Sequence, residues 1–596
     1  MASAIDTSNG IFTAMIEKPD LKRSSKFNWN YQKHFDEQDV RRLIIEYPKL
    51  HPAVAKVLAS KRLISADSIQ KYFSSDLEEQ VAGLEMKDLE KSAERLITAI
   101  SDNEKIRLYG DYDVDGTASV AMMSRFLESI GANFDFYIPD RYTEGYGISE
   151  KGVDLAIEDR IGLLISLDCG IRAVAKVDRL RTNQIDVIIC DHHEPGSVVP
   201  PAFSIINHKQ QDCENETKIL CGCGVALMLL FKVVELMDLN MDIDPYLELA
   251  AIATCADIVP IKAENRAIVA RGLEVISRKP SPGIQALLRN GGFKKGPVRV
   301  SDVVFKIAPR INAAGRMDHA SLGVSLLTSN DVNEAEEIAD HIEKLNVARK
   351  ERDAIITAEA REMLFQDDPE LERSSTILAK ENWHKGLVGI VASRIMEIAY
   401  RPTIILTEVD GLLTGSARST SSFDLHKALT ACSEHLTKFG GHAAAAGLTL
   451  DAKNYESFKN SFEAYAQGVG GKGFKTPELE ITLDVDFDHW HGEDYQNFYS
   501  QLNRLRPYGP DNRQPVFSTA NCIASNVKVV GSDHLRFFVS QAEGKKRDLP
   551  VIAFGFANHY EVLAAGQEFE LAYTIEENLW NGKRSLQLVA KDFKIS

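Results

Sequence analysis

Three apolar runs constrain the fold first: IRLY (106–109), LLISLD (163–168) and DVIICD (186–191), each followed by a polar or glycine-containing turn and separated by helical segments. A strand buried on both faces reads as a continuous apolar run, and strands separated by helices pair in parallel through crossover connections. The region from Lys105 onward is therefore expected to be an α/β domain built on a parallel sheet.

At 596 residues the chain is too long for one core, so about three or four domains are expected. Between Asp36 and Ala99, Val40, Leu43 and Ile44 and then Ala53, Val54, Val57 and Leu58 recur at helical spacing, with breaks at Pro48 and Pro52. This predicts a helical cap over 1–100, followed by the α/β domain over 101–331. Residues 332–365 contain neither Gly nor Pro and place Ala335, Ile338, Ala339, Ile342 and Leu345 on one face. A helix over 332–366 would run about 50 Å, enough to join two domains. A second α/β domain is expected over 367–468, and QGVGGKGFKTPE (467–478) reads as a linker. Runs such as ASNVKVVG, HLRFFVSQ, DLPVIAFG, FELAYTI and SLQLVAKDF then predict a small β-barrel of OB type over 475–596.

With 44% hydrophobic and 26% charged residues, disorder is not indicated. The first thirty residues lack the apolar stretch of a signal peptide, and no window approaches the roughly 18 apolar residues of a membrane span. A cytoplasmic protein without a membrane segment is the expectation. The eight cysteines have neither disulfide-scaffold density nor paired CxxC spacing, so reduced, buried thiols are expected. Cys213, Cys221 and Cys223 leave a zinc or iron–sulfur site as the alternative. A net charge of −17 excludes a general polyanion-binding surface, so any nucleic-acid site must be local.

YGDYDVDGTAS places Asp111, Asp113 and Asp115 at alternate positions after the first run, with Gly116 permitting a tight turn into a helix from Thr117. Crowded carboxylates repel unless cations or donors compensate them, which makes hard divalent metals the natural partners. Taken alone the motif also suits a solvated acidic turn or a calcium loop. Two later runs weigh against that: one ends in Asp168, the other in Asp191, His192 and His193. Ligands of open α/β sheets bind at the carboxyl ends of the strands, where these side chains can converge with Asp113 and Asp115. Asp257, in ATCADIVP, follows a helical run. The plainer reading makes the histidines ordinary hydrogen-bonded residues and Asp168 a cap.

DYDVDG, LDCG, DHHEP and CADIVP resemble the successive motifs of the DHH phosphoesterase superfamily. Within it, PDRYTEGYG (139–147), APRINAAGR (308–316), WHKGLVGIVASR (383–394), GSARS (415–419), FGGHAAAAGLTL (439–450), PYGPDNRQPVF (507–517) and HPAVAKVLASKRLIS (51–65) resemble the RecJ family of single-stranded-DNA exonucleases. The resemblance covers about residues 25–596. It implies a DHH-type parallel-sheet core, a DHH-associated second domain, and 5′ to 3′ hydrolysis of single-stranded DNA to 5′-mononucleotides in DNA repair and recombination. Two divalent ions, Mn or Mg, are implied, with Asp113 and Asp168 on the first and Asp115, Asp168, His192 and Asp257 on the second. The resemblance further implies that Asp111 binds metal or orients a ligand, that His193 faces the phosphate and that Asp191 is structural. Two departures stand out: Tyr109 replaces a metal-binding His of some members, and Asp511-Asn512-Arg513 replaces a Gly-Asn run.

By the same resemblance Arg141, Asn312, Arg316, Ser416, Arg418 and His442 contact nucleic acid, Arg being suited to bidentate phosphate recognition. The small residues of GGHAAAAG permit close approach of a ligand or tight packing. In the barrel, Lys528, Arg536 and the run Lys545, Lys546, Arg547 beside Phe537 and Phe538 suit backbone tracking with base stacking, or else form a solvated loop beside core aromatics. Single-stranded DNA is the expected partner of a monomer, with a single-strand-binding protein or a helicase as further candidates. Two competing readings are a phosphodiesterase of short RNA or cyclic dinucleotides, and an inactive DNA-binding scaffold. The C-terminal barrel argues against the first and the complete acidic set against the second.

Overall fold

The computed structural model describes residues 25–31, 35–74, 77–81, 84–215, 217–470, 476–487, 492–542, 548–580 and 583–595. They form two units, one of Lys71–Gly471 with Pro507–Arg513, the other of Met1–Gln70, Lys472–Arg506 and Gln514–Ser596.

In the first unit a five-stranded sheet has the order Phe134–Tyr137, Ile106–Gly110, Leu163–Leu167, Asp186–Cys190, Ser204–Ile206. All neighbours run parallel. Side chains alternate across the pleat. Ile106, Leu108, Ile165 and Ile188 enter a core shared with helices Val114–Ser129, Gly222–Leu236 and Asp244–Ala256. Tyr109, Leu164, Val187 and Ile189 enter a second core with helices Glu150–Glu158 and Val174–Thr182. Burying each such aliphatic side chain stabilises the fold by about 1.5–3 kcal/mol. Continuous apolar runs are the consequence of this two-sided burial.

The same unit holds a mixed sheet of order Lys438–Gly441, Ala445–Asp451, Leu412–Arg418, Thr403–Val409, Thr376–Glu381, in which only the last pair is parallel. The helix Val332–Asp367 joins the two sheets, its start capped by Asp331, which accepts from the Glu334 N–H. Ala335, Ala339 and Ile342 pack into the core of the parallel sheet, and Ile356, Ala360 and Leu364 into the other. Its buried face turns polar between them, at Asn346, Arg349 and Asp353.

In the second unit Phe517–Val530, His534–Gln541, Leu549–Phe554, Lys583–Ile595 and Phe569–Trp580 pair in that order, and the last returns to the first, closing a five-stranded barrel of OB type. Its core contains Phe537, 1% exposed and packed against Phe569 and Phe593, so Phe537 cannot stack on a base. Register decides this: Phe537 points inward, while Lys528 and Arg536 lie opposite each other and exposed. Lys545, Lys546 and Arg547 lie outside the described residues.

The N-terminal hundred residues divide between the units. The strand Asn28–Tyr31 pairs in parallel with Glu478–Ile481. It is pinned by Asp592, which accepts from the N–H groups of Lys26 (2.9 Å) and Phe27 (3.1 Å) and from Trp29 Nε1 (2.8 Å). Helices Glu37–Glu46 and Pro52–Ser60 belong to this unit, whereas Leu89–Ser101 packs Ala93, Leu96 and Ala99 into the parallel-sheet core. A local helical pattern carries no information about which remote partner covers it. Among the described residues no helix is long and apolar enough to cross a membrane.

Candidate metal centre and its cationic wall

The strand after Ile106–Gly110 lies on one side of it and Leu163–Leu167 on the other, so a topological switch point opens between these two strands. Both carboxyl ends carry acids. Asp113 caps the helix Val114–Ser129, its Oδ1 accepting from the N–H groups of Asp115 (2.9 Å) and Gly116 (3.2 Å). The helix thus begins at Val114, not Thr117, and Gly116 lies inside its first turn. A Cβ on Gly116 would stand 2.5 Å from the Asp111 carbonyl oxygen and 2.6 Å from its nitrogen, so this glycine serves close approach. Asp168 adopts a left-handed φ of 62°, a conformation that costs a non-glycine residue about 1–3 kcal/mol.

His192 Nε2 lies 3.2 Å from Asp168 Oδ1, 3.7 Å from Asp257 Oδ2 and 3.8 Å from Asp115 Oδ2. Three groups, Asp111–Asp113–Asp168, Asp115–His192–Asp257 and Asp168–His192–His193, each bring candidate ligand atoms within 4.8 Å of one another. Asp257 joins from the C-cap of helix Asp244–Ala256. Asp115 is aimed by the start of helix Gly222–Leu236, accepting from the N–H groups of Gly222 (2.6 Å) and Cys223 (2.8 Å), where the helix dipole favours an anion. Asp191 stays outside the carboxylate cluster. It accepts from the N–H groups of Ile171 (2.9 Å), His192 (2.7 Å) and His193 (3.1 Å), and lies 2.7 Å from His193 Nδ1.

Burial, then neighbouring carboxylates, hold Asp168 and Asp111 well above the usual carboxylate range. Burial with Asp115 and Asp113 pushes Asp257 up to about 9. Burial also raises Asp115, against the pull of His192, and brings His192 down to about 4. His193 goes the other way: burial opposes its charge, yet the bond to Asp191 raises it. Although His192 Nε2 is close, no hydrogen bond of acceptable angle reaches Asp168 Oδ1; it and Asp111 Oδ1 are buried without a donor. Orphaned carboxylate oxygens beside a neutral imidazole fit hard divalent cations, which favour such ligands. The site's residues therefore suit the metals that the motifs imply.

Tyr109 contributes nothing to this cluster. Its side chain enters the second core, its hydroxyl accepting from the Ser149 N–H at 2.9 Å. All eight cysteines are buried and unpaired, and among the described residues none joins a group able to hold a metal.

A cationic wall accompanies the acids. Arg141 lies 4.5 Å over the ring of Tyr112, the residue between Asp111 and Asp113. Arg316 Nη1 donates to the Gly386 carbonyl at 2.6 Å, tying the first domain to the second. Arg418 donates to Ser416 Oγ (2.9 Å) and the Ala417 carbonyl (2.8 Å). Burial, followed by Arg141, lowers Arg316 to about 10, with Arg349 and Arg418 adding to the repulsion. Burial, Arg418, His193 and Lys209 lower His442. In a chain with 86 acidic residues, Arg141, Arg316, Arg349 and Arg418 have no carboxylate within ion-pair distance among the described residues. Asn312 lines the same cavity as Arg316 and Arg349. The expected set Arg141, Asn312, Arg316, Ser416, Arg418 and His442 thus comes from separate elements of one unit.

Sequence reasoning passed over three residues here. Tyr146 places its hydroxyl 3.1 Å from His193 and 3.2 Å from the Asp168 carbonyl. Lys209 acts electrostatically on both Asp257 and His442. Arg349 sits in NVARKERD, where nothing separates it from a solvated helix arginine. The PYGPDNR segment makes contacts within the same unit: the Ile261 N–H donates to the Pro510 carbonyl (2.8 Å), Lys262 pairs with Asp511 (3.1 Å), and Tyr72 donates to Asn512 (3.0 Å).

Comparison with known proteins agrees with this architecture. Residues 105–254 match the DHH family N-terminal domain, 374–468 the DHHA1 domain and 478–592 the RecJ OB domain. The chain is 34% identical over 577 residues to the single-stranded-DNA-specific exonuclease RecJ of Bacillus subtilis, covering 96% of this chain and 71% of that protein. It is 33% identical over 575 residues to RecJ of Escherichia coli, covering 91% and 95%. The crystal structure of Thermus thermophilus RecJ in complex with Mn2+ superposes with a TM-score of 0.81 at 28% identity, covering 96% of this chain and 80% of that one.

Proposed function

Because the chain belongs to the family of RecJ single-stranded-DNA-specific exonucleases, we propose that it hydrolyses single-stranded DNA from the 5′ end, releasing 5′-mononucleotides with two bound divalent ions, Mn or Mg. The observation that carries this reading is the meeting of an undercompensated carboxylate cluster with four arginines that lack carboxylate partners among the described residues. Divalent cations would compensate the carboxylates and a phosphodiester would compensate the arginines, so metal and strand bound together would resolve both imbalances.

Asp111, Asp113 and Asp168 would hold one ion, and Asp115, Asp168, His192 and Asp257 the other, with Asp168 shared. When bound, such ions lower the pKa of a water and neutralise charge on the phosphoryl oxygens. Asp115 is oriented for its part by the Gly222 and Cys223 N–H groups. His193, held by Asp191 at 2.7 Å, would donate toward a phosphoryl oxygen, and Tyr146 lies 3.1 Å from its ring. Arg141, Asn312, Arg316 and His442 take backbone phosphates, while Ser416 and Arg418 take the terminal one, the fork of Arg matching it bidentately. The reading extends to a monomer acting in DNA repair and recombination on strands supplied by a helicase or coated by single-strand-binding protein.

The test is a time course with manganese on strands labelled at either end, alone and in duplex. A 5′ label should appear at once as mononucleotide, a 3′ label only in progressively shorter strands, and duplex should persist. Release of mononucleotide from the 3′ label first, or equal digestion of duplex, overturns the proposal.

A further inference from the structure

Ser166 is the only polar residue of the strand Leu163–Leu167, whose side chains are all buried. It stands in register between Tyr109 and Ile189 on the neighbouring strands, both of which enter the second core. A hydroxyl in such a row is unfavourable unless it is hydrogen-bonded. Other buried hydroxyls here bond back along their own helix, Ser92 to the Asp88 carbonyl and Thr254 to the Ala250 carbonyl. Ser166 instead reaches forward past the end of its strand: its Oγ donates to the Cys169 carbonyl and lies 3.5 Å from Cys169 Sγ. The bond therefore spans Asp168.

Asp168 has a left-handed φ of 62°, and Gly170 follows with a φ of 113°. Left-handed backbone at a non-glycine residue persists where surrounding contacts over-determine it. Here the Asp168 N–H donates to the Cys190 carbonyl at 2.8 Å, the Tyr146 hydroxyl donates to the Asp168 carbonyl at 3.2 Å, and Ser166 holds the carbonyl of the next residue. Gly170 completes the fit, because a Cβ there would stand 2.6 Å from Ser166 Oγ. The carboxylate carried by this turn belongs to two of the groups of candidate ligands, and its Oδ1 is buried without a donor. A small rotation of the turn would swing it away from both groups.

We propose that Ser166 is a positioning residue of the metal centre: by fixing the Cys169 carbonyl it sets the Asp168 turn, and with it the direction of the carboxylate that both ions would share. The inference rests on the metal-dependent reading above. Ser166 touches neither the ions nor the strand; it acts through Asp168 alone. Partners that orient a metal ligand typically change metal affinity by about 10- to 100-fold when removed.

The test uses the full chain and Mn2+ alone, titrated by calorimetry without DNA, so that the readout does not depend on turnover. Ser166→Ala should weaken Mn2+ binding by about 10- to 100-fold, and Ser166→Thr, which keeps the hydroxyl, should restore it. Val187→Ala is the control for a purely structural effect: Val187 is 1% exposed in the same core, so its truncation should lower the melting temperature and leave Mn2+ affinity at the wild-type value. Wild-type affinity in Ser166→Ala overturns the proposal, as does an equal loss in Val187→Ala or a Ser166→Thr variant no better than Ser166→Ala. Should Ser166→Ala fail to fold, Ser166→Cys, whose thiol is a weaker donor, must weaken Mn2+ binding in the same direction; unchanged affinity there also overturns it. A wild type that binds no Mn2+ refutes this proposal and the metal-dependent reading together. A wild type that binds Mn2+ yet leaves single strands intact refutes the exonuclease reading and not the role of Ser166.

Discussion

Gly222 lies directly against Asp168: a Cβ at position 222 would stand 2.5 Å from the Asp168 Cβ and 2.6 Å from its Oδ1. The residue that aims Asp115 through its N–H therefore also gives room to the carboxylate at the centre of the cluster. Gly222→Ala is expected to displace Asp168 at a cost of about 1–3 kcal/mol, the usual range for overpacking. Manganese affinity measured by calorimetry should fall at least tenfold while far-ultraviolet circular dichroism stays unchanged. Wild-type affinity in the variant would show that Asp168 does not depend on this contact.

Asp168→Asn separates the two faces of the site. Asp168 Oδ1 is buried without a donor, and the carboxylate is crowded by Asp115, Asp113, Asp257 and Asp111. Removing its charge should stabilise the metal-free protein at alkaline pH by roughly 1–3 kcal/mol, the penalty of a buried unsatisfied polar group. The same change should abolish turnover and the metal-induced rise in melting temperature. A variant that is less stable than wild type without metal at pH 8.5, a pH chosen near the Asp257 value of about 9, would contradict the crowding argument.

Stability should respond to pH in a direction set by these carboxyls. Their folded pKa values exceed the unfolded ones, with Asp257 near 9 against an ordinary 3.8. Between those limits the folded state binds more protons than the unfolded chain, so this contribution to stability declines as pH rises through the window and is constant beyond it. Metal requires the deprotonated ligands, so binding should tighten with pH and release protons. Melting curves at pH 6 and pH 8.5, bracketing the lower side of the Asp257 value, should show the larger metal-induced shift at the higher pH. Equal shifts would show that the cluster does not take up protons when empty.

Arg418→Ala addresses end recognition. Arg418 is held by Ser416 Oγ and the Ala417 carbonyl and has no acidic partner among the described residues, which leaves its other donors for an anion. Losing a charge-assisted bond costs roughly 1.5–3 kcal/mol, about 10- to 150-fold. The ratio of kcat/KM for 5′-phosphorylated over 5′-hydroxyl strands should drop by that factor. Equal loss on both substrates would make Arg418 a general backbone contact and move end recognition to Arg316 or Arg141.

Local pattern alone determined the parallel α/β core, the long helix and the barrel strands. Two-sided burial, helical spacing and alternation are written into consecutive residues such as Leu163–Leu167 and Ala335–Ile342. The acids at strand ends were legible for the same reason, because Asp168 and Asp191 directly follow apolar runs and Asp111 follows one after Gly110. Tertiary structure decided what depends on remote partners. Strand order puts the switch point between Ile106–Gly110 and Leu163–Leu167; Gly222 and Cys223 aim Asp115 from more than a hundred residues away. The strand Asn28–Tyr31 finds Glu478–Ile481, and pleat register turns Phe537 inward. Arg349 acquires its meaning only when Asp353 and Glu343 are taken by other arginines. Each of these outcomes is a competition among contacts between distant segments, and no window of neighbouring residues encodes which contact wins.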